Sequence, residues 1–120
     1  MNLQELVIEL LKEGVFINEV KLKQIDNLTC LSYRIDGFYK SGGVDLYETS
    51  DGIFAEARYN EINQIESIDD LISLNYTWWQ RSKERYDGWT NPDSKWINLL
   101  LRKGLVTEKV KTVKTYQWDN

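Results

Sequence analysis

Histidine is absent from this sequence, and cysteine, proline and methionine occur once each. Without an imidazole there is no Ser-His or Cys-His nucleophile pair, and the commonest general base near neutral pH is missing. Zinc and other transition-metal sites lose their usual ligands for the same reason, which leaves only a carboxylate site for magnesium or calcium. No metal and no cofactor are therefore expected. The lone Cys30 has no partner for a disulfide, and its neighbours Leu28, Thr29, Leu31 and Tyr33 favour a neutral, structural thiol. Glycines occur singly or as Gly42-Gly43, never as a phosphate-binding loop or a dinucleotide fingerprint. Long apolar runs are missing too. Stretches such as Leu99 to Leu101 fall far short of the ~20 residues that cross a bilayer, so no membrane contact is expected. The start, Met1 to Glu5, lacks the basic and then apolar pattern of a signal peptide. Together with the unpaired cysteine it points to a cytoplasmic protein.

The composition that is present is that of a folded chain, with 42% hydrophobic and 28% charged residues. At 120 residues it has the length of one domain, expected to span 1–120. The net charge of −4 is unevenly spread. Residues 1–66 carry twelve acids against six bases (−6), and residues 67–120 carry seven acids against nine bases (+2). An acidic chain of this kind repels phosphate backbones, so duplex DNA is not an expected partner.

Leu3, Leu6, Val7, Leu10 and Leu11 recur at helical spacing, with Asn2 and Glu5 placed as a capping box and Gly14 as the stop. From Val20 to Tyr39 the pattern alternates, turning at Asp26-Asn27, with Leu31, Tyr33 and Ile35 on one face. A strand from Val44 to Thr49 reverses at Ser50-Asp51-Gly52 into another whose inward face is Ile53, Ala55, Ala57 and Tyr59. Ser67, Asp69 and Asp70 open a second helix that runs to Arg85 or Tyr86. Its inward stripe is Ile68, Leu71, Ile72, Asn75, Trp78, Trp79 and Ser82. Asn91-Pro92 opens a third helix with Trp96, Leu99 and Leu100 inward and Gly104 at its end. Leu105 to Trp118 reads as one strand, whose lysines suit a sheet edge. The expected class is α+β: an N-terminal helix, an antiparallel meander of about four strands, two helices and a C-terminal edge strand.

Catalytic chemistry is left with carboxylates alone. Of Glu56, Glu61, Glu66, Asp69 and Asp70, the last two serve the helix dipole, and Glu61 and Glu66 flank a loop. No enzyme is expected. The segment from Trp78 to Trp96 is the densest in chemistry, holding four of the five tryptophans with Arg81, Lys83, Arg85 and Tyr86 between them. Aromatic faces beside guanidinium groups can stack on a base and hold a phosphate. Arg81 and Arg85, four apart, share a helix face and can grip one anion together. The competing reading is that Trp78, Trp79 and Trp96 knit the helices to the sheet while the bases form a solvated face. Trp89, expected in a loop, is less obliged to be buried and is a candidate contact anchor.

Asn75-Tyr76-Thr77-Trp78-Trp79-Gln80-Arg81-Ser82-Lys83, with Gly88-Trp89, Asn91-Pro92-Asp93 and Trp96, resembles segments of small uncharacterised proteins of phages and prophages. The resemblance covers about a quarter of the chain and carries no activity with it. It implies an accessory protein of a mobile element that binds a host protein or a signalling molecule.

Two functions follow as expectations. The first is a non-catalytic module that binds and inhibits a host protein through Glu48, Asp51 and Glu56 or through Trp89. A partner that normally grips nucleic acid is a suitable target, because carboxylates can stand where it expects phosphates. The alternative is a binder of a small anionic ligand such as a nucleotide, with Trp79, Arg81, Arg85 and Trp89 as walls and clamps. An exposed terminal strand or aromatic patch leaves symmetric homodimerisation open.

Overall fold

The structure, a computed structural model, describes residues 1–39, 42–57, 61–82, 94–110 and 114–119. Helix α1 (Leu3–Lys12) starts at the anticipated capping box. Asn2 Oδ1 accepts from Glu5 N at 2.9 Å, and Asn2 N donates to Glu5 Oε1 at 3.3 Å. It ends in a Schellman motif: Gly14 takes a φ of +85°, Gly14 N donates to Leu11 O and Val15 N to Leu10 O. Leu3, Leu6 and Leu10 are buried, whereas Leu11 is exposed. The helix thus turns a narrower stripe inward than its apolar pattern suggests.

Five strands follow: β1 (Glu19–Ile25), β2 (Leu28–Tyr39), β3 (Gly42–Thr49), β4 (Gly52–Glu56) and β5 (Ile62–Ile65), all antiparallel in the order β1-β2-β3-β4-β5. The first hairpin closes on Ile25 opposite Leu28, with Asp26 at a φ of +53°, a left-handed backbone that Asp tolerates better than most residues. The meander has one strand more than the alternation suggested. β5 is only four residues long, too short for its period to stand out, and it follows β4 once Ala57 N has bonded Glu61 O at 2.9 Å. β4 itself ends at Glu56, and Tyr59 lies outside the described residues.

Register sorts the sheet into two faces. Val44, Leu46, Ile53, Ala55 and Ile65 point to the helix face and are all but fully buried. Against them pack α1, α2 (Ile68–Ser82) and α3 (Lys95–Arg102), which contribute Leu71, Ile72, Trp78, Trp96, Ile97, Leu99 and Leu100 to the same core. Phe38 joins them at the end of β2, edge-on to Trp78 at 5.5 Å and tilted against Trp96 at 4.7 Å. In α2 the anticipated stripe of Leu71, Ile72, Asn75 and Trp78 is buried, and Asn75 Nδ2 donates to the Phe38 carbonyl. Ser67 Oγ accepts from Asp70 N at 3.2 Å, so the expected cap is present.

The cap of α3 is Ser94; Asn91 and Pro92, where the sequence placed the helix start, lie outside the described residues. Ser94 Oγ accepts from Ile97 N at 3.3 Å and donates to the Gly37 carbonyl at 3.2 Å, which ties the start of the helix to β2. A serine preceding Lys-Trp-Ile satisfies the free N–H groups of the first turn. The helix ends in a second Schellman motif, with Gly104 N on Leu101 O and Leu105 N on Leu100 O.

The C-terminal segment is a hairpin of two strands, β6 (Val106–Val110) and β7 (Lys114–Trp118), which pair in a sheet of their own. It does not extend the main sheet. Val106, Tyr116 and Trp118 are buried in the common core, with Trp118 edge-on to Tyr76 of α2 at 5.0 Å. The main sheet therefore keeps β1 and β5 as its edges.

Candidate functional site

Arg81 lies at the end of α2 beside Glu61, its Nη1 donating to Glu61 Oε1 at 2.6 Å. Trp78 Nε1 donates to the same oxygen at 3.1 Å. Burial alone pushes the Glu61 carboxyl up, but the bonds from Arg81 and Trp78 outweigh it and hold the group below its ordinary range. Trp78 is a core residue with one polar edge, and Arg81 is half of an ion pair. Trp79 is half-buried and stacks on Tyr76 at 6.1 Å and 27°. Arg85 and Trp89 lie outside the described residues, as do Lys83 and Tyr86. Of the four residues expected to hold an anionic ligand, the described pair is thus drawn into packing and a salt bridge.

The acidic trio does not form one surface. Glu48 pairs with Ile53 and points to the helix face, whereas Glu56 pairs with Asp45 and points to the opposite, open face. Glu56 is bound by Lys23, and Asp51 stands exposed in the loop between β3 and β4.

The Lys23–Glu56 pair reveals the shape of the open face. Lys23 on β1 lies three strand spacings from Glu56 on β4 and four residues along β1 from Glu19, the residue in line with it, which is about 20 Å in a flat sheet at ~4.8 Å per strand and ~3.4 Å per residue. Their contact requires the sheet to curl so that its open face is concave. Two further contacts agree: the Lys23 ammonium lies 5.3 Å from the centre of the Tyr47 ring, and Lys21 Nζ lies 4.0 Å from Asp45 Oδ2. The Glu56 carboxylate, through its hydrogen bond, is the main reason the Lys23 ammonium is held above its ordinary pKa, against the opposing effect of burial. Tyr47 is pushed up as well, first by burial and then by the charge of Glu56.

Curling leaves a cleft of about 340 Å³ between the tip of the β1–β2 hairpin and the β3–β4 hairpin. Its floor is Tyr47 stacked on Phe54, with ring centres 5.7 Å apart and planes 22° from parallel. Ile25 and Leu28 form the wall on the β1–β2 side, and Ile62 of β5 the wall across from it. Asp26, Asp51, Thr49 and Ser50 supply the polar rim. The rim loop is pinned in place, since Asp51 N donates to Thr49 Oγ1 at 3.1 Å and Gln64 Nε2 donates to the Asp51 carbonyl at 2.7 Å. Gly52, next in the chain, needs its φ of +132°, and a Cβ there would meet Gln64 Nε2 at 2.5 Å.

Asp51 is the one residue of this cleft that sequence reasoning singled out for binding. Asp26 was legible only as a turn, and Tyr47 and Phe54 went unnoticed. The signal available for them is two aromatics at the solvent-facing positions of neighbouring alternating strands. Among the described residues no helix is long and apolar enough to cross a membrane. Compared with protein-family models, curated proteins and solved structures, the chain matches none.

Proposed function

We propose that the protein is a non-catalytic binding module whose cleft takes a basic side chain of a host protein and so occupies, and inhibits, a surface made to grip nucleic acid. The observation that carries this reading is the pairing of an aromatic floor with two rim carboxylates and, among the described residues, no basic residue in the lining. A guanidinium is the group such a site suits, because its planar face lies well on an aromatic ring while its N–H fork reaches a carboxylate. The exposed side chains of Leu28 and Ile62 beside the cleft add apolar contact for the residues flanking the inserted one. An accessory protein of a mobile element would work in this way, without chemistry of its own.

The alternative, a nucleotide held by Trp79, Arg81, Arg85 and Trp89, is weakened at Arg81 by the Glu61 carboxylate, which occupies that guanidinium, while Arg85 and Trp89 lie outside the described residues. Fluorescence anisotropy with a labelled Arg-Leu repeat peptide, and a Glu-Leu repeat as control, tests the proposal. The wild type is expected to bind the basic peptide alone. Asp26→Asn/Asp51→Asn and Phe54→Ala are each expected to weaken it about tenfold, with circular dichroism unchanged. Equal binding by these variants, or a bound nucleotide lost on Arg81→Ala, overturns it.

A further inference from the structure

The two edges of the main sheet are unequal. β5 offers four residues, whereas β1 offers seven in unbroken register with β2, with no proline and no bulge. Long edges of this kind are normally blunted by charge, and β1 does carry Lys21 and Lys23. Both, however, reach across the open face to Asp45 and Glu56, so their charges are balanced within the same molecule. The other face of the β1–β2 hairpin is apolar and uncovered. Val20 is 51% exposed, Leu22 72%, and Leu31, the cross-strand neighbour of Leu22, 48%. A free ladder edge beside uncovered aliphatic side chains describes a pairing surface for another strand.

The sequence of β1 fits a second copy of itself. In a symmetric antiparallel pair, residues that face each other lie on the same face of the joined sheet, so a register that keeps the apolar face continuous must place the two-fold axis on a residue. An axis on Leu22 sets Lys21 against Lys23 of the other copy twice, a like-charge contact. With the axis on Val20, only three residues of β1 remain paired. An axis on Lys21 pairs five: Val20 meets Leu22 and Glu19 meets Lys23, each twice, and the single self-opposed Lys21 is neutralised by its own Asp45. Opposite charges across a strand pair are favourable, as are aliphatic pairs.

We infer that the protein self-associates through β1, two copies pairing their edge strands antiparallel about Lys21 to form one ten-stranded sheet. The surface is distinct from the cleft, so the proposal is independent of the function proposed above. Five residue pairs along one edge strand belong with weak, transient contacts, and a Kd of order 10 µM is the expected value.

Sedimentation velocity and cysteine cross-linking test it. The wild type is expected to pass from monomer to dimer around that concentration. Leu22→Lys, a change at an exposed position that leaves the core untouched, is expected to raise the Kd at least about tenfold by placing a further cation at the joint. In a Cys30→Ser background, Lys21→Cys is expected to form an intermolecular disulfide under mild oxidation, because only the residue on the axis faces its own copy. Val20→Cys and Leu22→Cys are expected to remain reduced. A wild type that is monomeric at concentrations of order 500 µM, fifty times the expected Kd, overturns the inference. So does cross-linking through Leu22→Cys in preference to Lys21→Cys, or a dimer that Leu22→Lys leaves intact.

Discussion

Glu61 shows how one side chain settles the roles of its neighbours. Its Oε1 takes the Arg81 guanidinium and the Trp78 indole N–H together, so a tryptophan that fills the core keeps its polar edge satisfied. Because the folded-state pKa lies below the ordinary value of 4.5, the charged carboxylate stabilises the fold at pH values above that figure. The contribution is lost as pH falls through the depressed pKa. Glu61→Gln keeps an oxygen for Trp78 but removes the charge. Urea denaturation of the two proteins side by side is expected to show a constant difference at neutral pH that closes below about pH 4.5. With Arg81 62% and Glu61 39% exposed, solvent screening keeps that difference under about 1 kcal/mol. A difference unchanged at pH 3 would show that the charge of Glu61 contributes nothing.

At the scale of elements, the joint between β2 and α3 shows how a strand irregularity positions a helix. The β2–β3 register shifts between Ile35 and Tyr39, and Gly37 takes a φ of +74° there. Its missing side chain admits Ser94, whose Oγ would lie 2.6 Å from a Cβ at that position. Ser94 in turn caps α3, which brings Trp96 against Phe38. Gly37→Ala is expected to cost about 2–3 kcal/mol through backbone strain and the clash, and Ser94→Ala about 1 kcal/mol through the lost cap. In the double variant the costs are expected to fall short of their sum, because removing Oγ relieves the closest contact. Thermal denaturation of the four proteins measures the cycle, and strict additivity would mean that the joint is not coupled. Much at this scale was legible in the sequence, because caps, glycine stops and two-residue turns are local chemistry. Asn2 with Glu5, Ser67 with Asp70, Gly14, Gly104 and Asp26-Asn27 all appear where local rules put them. What stayed hidden depended on partners or lacked a marker. β5 is too short to show a period, and the reversal between Val110 and Lys114 carries no Gly, Asn, Asp or Pro to signal it. The curl that builds the cleft stayed hidden as well, since it follows from Lys23 meeting Glu56 across three strands.

At the scale of the whole molecule, the question is whether the C-terminal hairpin is an appendage or part of the core. Its strands pair with each other and with no strand of the main sheet, which taken alone suggests an appendage. Burial says otherwise. Val106, Tyr116 and Trp118 belong to the same cluster as Leu6, Leu46 and Trp96, and Trp118 meets Tyr76 of α2, which itself stacks on Trp79. A main-chain bond from Asp119 N to Leu105 O, together with the hydroxyl of Thr107 donating to the Asp119 carboxylate, closes the hairpin at the end of α3. Trp118, only two residues from the end of the sequence, should then behave as a core residue. Trp118→Ala is expected to cost about 3–5 kcal/mol, the range for a buried tryptophan, a large share of the stability of a domain of this size. If one core includes every element, tryptophan fluorescence and far-UV circular dichroism should follow the same denaturation curve in the wild type, and in the variant, with four of the five tryptophans left, both should shift together. A loss confined to the hairpin, with the main transition unmoved, would show that the two sheets unfold separately and that burial of Trp118 does not couple them.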